Sequence, residues 1–314
     1  MSLVPRYVSD RVALWEVPSE GPPAPDVFLL VHGLGQDRAT FTSGPLPAAL
    51  ARRGRVLLAE LDGPSRQSTS RPTRGLAEYL QTVLPVALAE AHGIGAVERV
   101  HYVGHSMGGY LGLALAASRA PIDSLSLFAA PLPIALGRPQ IVLAAALARL
   151  LLPAFGARAF PLQHVLRVAS SLATAPRSSV LRIAHDLVRL GDPDEAPRDV
   201  LLALLRSGSP ESARVLLDFC KMAVTGEQKL ANLDLLETLR SWDRPIFTAI
   251  GDEDVFGHAA TLRRAAAGTG ARKTVLVKGS AHSDLVIGRR ARTLAHELLR
   301  FLEQAGALAP RKPA

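Results

Sequence analysis

Ser106 is the residue best placed to do chemistry. It stands between Gly104 and Gly108 in the run V-H-Y-V-G-H-S-M-G-G-Y, Val100–Tyr110, with the spacing G-x-S-x-G. A short apolar segment precedes it and a helix-like run, Tyr110 to Ser118, follows. Strand, sharp turn and helix together lift a serine oxygen clear of a sheet, where a base and a substrate can reach it. The turn is tight enough to strain the serine backbone, and side chains on the flanking glycines would strike the neighbouring elements.

A serine hydroxyl is a weak nucleophile until a base takes its proton. The natural base is a histidine oriented by a buried carboxylate. Among nine histidines, His282 in G-S-A-H-S-D follows a strand-like run and precedes the last helical segment. Active groups of an open parallel sheet collect at the carboxyl ends of its strands, which selects His282. His32 and His105 read as turn-shaping residues, and His101 as a core or surface histidine within a strand. His164, His185 and His258 read as solvated residues in helices or at their starts. The carboxylate comes from I-G-D-E-D-V-F, where Asp252, Glu253 and Asp254 compete; Asp254 is preferred and Asp252 second, and one of the others is expected to cap the next helix. A tetrahedral intermediate also needs backbone N–H donors. The amide of Met107, the residue after the serine, is one candidate. Leu34, in the Gly-rich loop V-H-G-L-G-Q, is the other. No Lys or Ser/Thr follows that loop in phosphate-loop spacing, so a nucleotide loop is disfavoured.

These groups need a scaffold. Apolar runs of buried-strand length occur at Val27–Val31, Val56–Leu61, Val100–Val103, Leu125–Ala129, Ile246–Ile250 and Thr274–Val277, with β-like pieces at Arg6–Ser9 and Val12–Val17. Helical segments separate them at about 46–53, 75–91, 107–118, 258–268 and 289–304. The alternation predicts an α/β fold, a mostly parallel sheet with helices on both faces. It breaks between Pro131 and about Trp242, a Leu- and Ala-rich, Pro-punctuated stretch that reads as helices with no convincing strand. The expected organisation is a core over 1–131 and 241–306, a helical insertion over 132–240, and a frayed tail over 307–314.

The chain has 314 residues, 48% of them hydrophobic, enough for one large domain with an insertion. Its net charge is +8, carried almost wholly by scattered arginines, with five lysines. No basic run is interleaved with aromatics, so nucleic acid is not an expected partner; the arginines read mostly as solvated helix faces, with a weak attraction to anionic lipid or an acidic substrate as the other use of the charge. The single cysteine, Cys220, excludes an intrachain disulfide and fits a reducing compartment. No Cys/His cluster has metal-ligand spacing. The amino terminus lacks a charged head followed by an apolar run. The longest apolar stretch, Ile141–Leu152, is shorter than the ~20 residues of a membrane span. A soluble, cytoplasmic protein that needs no cofactor is expected.

The order Ser106, Asp254, His282, with H-G-L-G upstream, resembles the α/β-hydrolase superfamily over about residues 26–305. G-H-S-M-G-G is similar to the elbow of many bacterial lipases, esterases, thioesterases and some C–C bond hydrolases. D-G-P-S-R-Q-S at 62–68 looks like a degenerate form of the family's D-x-x-G-x-G-x-S loop. The family's G-x-x-D spacing implies Asp254 as the acid. H-S-D-L-V-I-G-R-R-A-R resembles the His loop of acid-lipase-like and polyhydroxyalkanoate-synthase-like branches, which implies Asp284 and Gly288 as structural supports. Those synthases carry a cysteine nucleophile where this chain has Ser106. The resemblance implies a serine esterase with a helical cap, acting on a small-molecule ester with an apolar acyl chain. Within the cap, Phe219 and Met222 fall at helical spacing, either lining an acyl pocket or packing the cap core. A thioesterase or acyltransferase would use the same residues. A non-catalytic protein that binds hydrophobic ligands on this fold is the competing class.

Overall fold

The computed structural model describes residues 2–19, 25–62, 74–95, 97–130, 132–133, 139–155, 159–160, 200 and 208–310. Along the main sheet run β1 (Val4–Val8), β2 (Val12–Val17), β3 (Asp26–Val31), β4 (Arg55–Leu61), β5 (Arg99–His105) and β6 (Ser124–Phe128). Two-residue strands follow: β7 (Ala159–Phe160), β8 (Glu211–Ser212), β9 (Lys229–Leu230) and β10 (Leu233–Asp234). The sheet closes with β11 (Ile246–Gly251) and β12 (Arg272–Val277). The helices are α1 (Ala39–Thr42), α2 (Leu46–Leu50), α3 (Leu76–Glu78), α4 (Leu84–Gly93), α5 (Met107–Ala117), α6 (Pro139–Leu151), α7 (Ala213–Thr225), α8 (Leu235–Ser241), α9 (Ala259–Ala266), α10 (Asp284–Ile287) and α11 (Ala291–Gln304). A π-helical turn, Tyr79–Val83, joins α3 to α4.

The eight-stranded sheet has the order β1-β2-β4-β3-β5-β6-β11-β12. β1 and β2 are antiparallel additions at one edge, and from β4 onward neighbours are parallel. The inner strands β3, β4, β5 and β6 alternate between two cores. In β3, Val27, Leu29 and Val31 enter the core shared with α4, α5 and α8, while Phe28 and Leu30 enter the one shared with α2, α10 and α11. The register aligns the strand ends. Val31 pairs with Gly104, His105 and Ala249 both face Phe128, and Gly251 pairs with Val277. The loops after β3, β5, β11 and β12 therefore leave one edge of the sheet together.

Two expectations are corrected. The stretch between β6 and β11 holds strand pairs among its helices, β7 with β8 and β9 with β10. These pairs are only two residues long, too short for a periodic signal. The tail, predicted to fray, is buried at Ala307, Leu308 and Ala309. The Ala309 amide donates to Asp26 at 3.0 Å and its carbonyl accepts from Arg53. Residues 311–314 lie outside the described residues.

Asp26 sits with His101 and Ser124 at the amino ends of β3, β5 and β6. His101 places Nε2 3.2 Å from Asp26 and Nδ1 2.8 Å from the Ser124 hydroxyl. The residue types are those of a hydrolytic relay, but all three side chains are sealed from solvent and Arg53 closes the cluster at 3.2 Å from Asp26. Its use is structural: it fastens three strands and the chain end. Arg53→Ala leaves a buried carboxylate short of its cation and is expected to cost about 3–5 kcal/mol in urea unfolding. A loss under about 1 kcal/mol, the value of an exposed pair, would contradict this account.

Candidate active site

Ser106 occupies the turn between β5 and α5 with φ 52° and ψ −114°, a conformation that side-chain-bearing residues rarely adopt. Such strain costs on the order of 1–3 kcal/mol and persists only where the surroundings impose it. Here the Ser106 amide donates to the Phe128 carbonyl at 2.9 Å, and its carbonyl accepts from the Gly109 amide at 2.9 Å. Both flanking glycines are demanded by contact. A Cβ on Gly104 would lie 2.4 Å from the Gly108 backbone, and one on Gly108 would lie 2.2 Å from the Val31 carbonyl. His105 and Met107 are fully buried, whereas Ser106 between them is partly exposed.

The Asp254 carboxylate lies on the loop after β11 and His282 on the loop after β12. The two oxygens of Asp254 are 3.1 and 3.0 Å from His282 Nδ1. A carboxylate only accepts, so Nδ1 carries the proton and Nε2 is left as the basic nitrogen. Burial alone would raise the Asp254 carboxyl. The His282 charge and hydrogen bond, with the Gly257 and Phe256 amides, outweigh it and hold the carboxyl below its ordinary value. Phe256 stacks edge-on against the His282 ring at 5.1 Å. His105, next to Ser106, stands 5.1 Å from the same ring on another side. Asp252 is used elsewhere. It accepts the Gly279 amide at 2.7 Å and so ties the two loops together. The helix that follows is capped by His258, which accepts from the Ala260 amide at 3.0 Å, and not by a spare acid. Asp284 accepts the Ala281 amide at 2.7 Å, and a Cβ on Gly288 would lie 2.6 Å from the Asp284 carbonyl. Both residues brace the His282 loop.

The loop after β3 abuts the serine: a Cβ on Gly33 would lie 3.1 Å from that of Ser106. The Leu61 amide donates to His32 Nε2 at 3.2 Å, so the proton is on Nδ1, which donates to the Gly33 carbonyl at 2.9 Å. The Gln36 amide reaches the same carbonyl at 3.3 Å. Across the trans peptide, the Leu34 N–H points the opposite way. Among the described residues, neither the Leu34 nor the Met107 amide has an acceptor. Met107 opens α5, where amides are free and the helix dipole favours negative charge.

The sequence carried no signal for three residues that shape this site. Gln36 accepts the Gly33 amide at 3.2 Å and sits 3.3 Å from His105 Nδ1. Ser209 and Glu211 reach Gly35 from the insertion, at 2.8 and 2.9 Å. Phe219 and Met222 are buried in the core beside α5, with Phe219 edge-on to Tyr110 at 5.2 Å. His164, His185 and most of the 62–68 loop lie outside the described residues. Among the described residues, no group of three or more His, Cys, Asp or Glu could hold a metal ion. No described helix is long and apolar enough to cross a membrane.

The sequence matches the Alpha/beta hydrolase family over residues 28–297. The chain belongs to the alpha/beta hydrolase family. This member shares its fold with an enol-lactonase from Burkholderia xenovorans LB400 (18% identity, 95% of this chain and 100% of that one, TM-score 0.55). MenH from S. aureus is similar at 16% identity, over 93% and 98% of the two chains, with TM-score 0.58. Carboxylesterase CesB (YbfK) from Bacillus subtilis matches at 15% identity, over 96% and 92%, with TM-score 0.58. A search of curated protein sequences finds no match.

His105 makes this site sensitive to acid. Burial first, and the His282 charge second, push its pKa from 6.5 down to about 3. In that window the unfolded chain binds a proton that the folded chain refuses, so stability falls as pH drops from 6.5 toward 3. The slope from this one group is about 1.4 kcal/mol per pH unit. Urea unfolding between pH 6.5 and 4 should show a shallower pH dependence in His105→Asn than in the wild type; equal slopes would contradict the assignment.

Proposed function

We propose that the chain is a serine hydrolase that cleaves carboxylic esters with apolar acyl chains through an acyl-enzyme. The observation that carries this reading is the buried Asp254–His282 pair beside the strained, partly exposed Ser106. In this reading the Ser106 oxygen attacks the ester carbonyl while His282 Nε2 takes the hydroxyl proton. Asp254 stabilises the resulting imidazolium. The carbonyl oxygen becomes an oxyanion that accepts from the Leu34 and Met107 amides, each contributing a factor of about 10² to 10³ in rate. Collapse breaks the ester bond, and His282 returns the proton to the leaving alcohol. Water, deprotonated by His282, then attacks the acyl-enzyme, and its collapse gives the acid and restores Ser106.

Two kinds of support bear on the substrate. The neighbours described as an enol-lactonase and a carboxylesterase carry the same fold. Residues 132–240, in this reading a cap over the strand ends, supply apolar surface: α6 leaves Leu143, Leu147, Leu150 and Leu151 exposed along one side. That side is suited to contact with a lipid or micelle surface.

Hydrolysis of p-nitrophenyl esters from acetyl to palmitoyl tests the proposal. Wild-type turnover is expected, with Ser106→Ala reducing kcat by at least about 10⁴-fold and Asp254→Asn by a comparable factor without loss of fold. Substantial turnover by Ser106→Ala would overturn the assignment. Equal rates on monomeric and micellar ester would remove the lipid contact.

A further inference from the structure

Gly35 is gripped from outside its own loop. It has φ 63°, a left-handed conformation that glycine adopts at little cost. The Gly35 amide donates to Glu211 Oε2 at 2.9 Å, and its carbonyl accepts from the Ser209 amide at 2.8 Å. The Ser209 hydroxyl adds a contact to Asp37 at 3.4 Å. Glu211 is fully buried. Its other oxygen accepts from the Ser212 amide at 3.0 Å and lies 3.5 Å from the Tyr79 hydroxyl, which is 2.6 Å from Asp62. A loop with two glycines among four residues is otherwise free to rotate its peptide planes. Here both planes of Gly35 are set by a segment 176 residues further along the chain.

We infer that Glu211 is a positioning residue for the oxyanion loop: its carboxylate holds the Leu34–Gly35 peptide so that the neighbouring Leu34 amide stands ready for the carbonyl oxygen. This rests on the hydrolase reading above. Glu211 does not touch the reacting atoms. It acts through Gly35. Rotating that peptide strands a buried carboxylate oxygen and a buried N–H, so the loop keeps one orientation before substrate arrives. An oxyanion donor that is aligned in advance lowers the barrier to the chemical step and leaves ground-state binding nearly unchanged. A residue that merely glues the insertion to the sheet would instead lower stability and leave the rate per working site intact.

Glu211→Ala and Glu211→Gln separate these roles. Rates are referred to sites counted by fluorophosphonate stoichiometry, and amide hydrogen exchange is followed over residues 33–37. Glu211→Ala is expected to lower kcat about tenfold to a hundredfold, the cost of a small misplacement, with KM changed less than about threefold. Its exchange over the loop should rise. Glu211→Gln, whose amide oxygen still accepts, should restore most of both. An unchanged kcat per site, or unchanged exchange at Gly35, overturns the inference. If Glu211→Ala does not fold, Glu211→Asp withdraws the acceptor by about 1.5 Å and is read in the same way. Absence of Ser106-dependent turnover in the wild type would sink the hydrolase reading itself, and the exchange arm would still decide whether Glu211 holds the loop.

Discussion

The close crossing of β3 and α5 at Gly108 is the constraint on which the rest depends. With only about 2 Å available between the Val31 carbonyl and any Cβ at that position, the chain after β5 can turn only by straining Ser106. The strain is held by main-chain hydrogen bonds to Phe128 and Gly109, so a bonded frame supports it without any help from a flexible side chain. The same turn puts the free amides of α5 directly after the serine, where a developing negative charge is favoured.

Everything else near Ser106 is brought there by sheet register. Because β3, β5, β6, β11 and β12 end nearly level, short loops suffice to carry Leu34, Asp254 and His282 to one edge. Electrostatics then sorts the groups. Asp254 is kept ionised by His282 and by amides, while His105, one residue from Ser106 and equally buried, is kept neutral. Two histidines within 5.1 Å of each other can thus differ in role, since only His282 has a carboxylate on its ring nitrogen.

Much of this was legible in the sequence because it is local. G-x-S-x-G reports a steric demand on two particular backbone atoms, and the apolar runs report strands buried on both faces, so the turn at Ser106 and five of the strands could be read directly; Thr274–Val277, expected to be buried in the same way, is the edge strand and leaves Leu276 48% exposed. Asp254 and Asp252 could not be told apart by placement, because both follow the same strand. The register of β11 against β12 separates them by giving Asp252 to the Gly279 amide. The chain end was misread because its anchor, Asp26, lies 283 residues away. Glu211 was invisible for the same reason: one acid among several in the insertion has no pattern, and its partner is a backbone amide 176 residues away along the chain.

The most direct test of the account is fluorophosphonate labelling mapped by peptide mass spectrometry. An activated serine in a preformed site reacts fast and stoichiometrically, while an ordinary one does not. The account predicts one label per chain, on Ser106, lost on unfolding in urea and slowed sharply in Asp254→Asn. No labelling of the folded chain, or a label on any other serine, would contradict it.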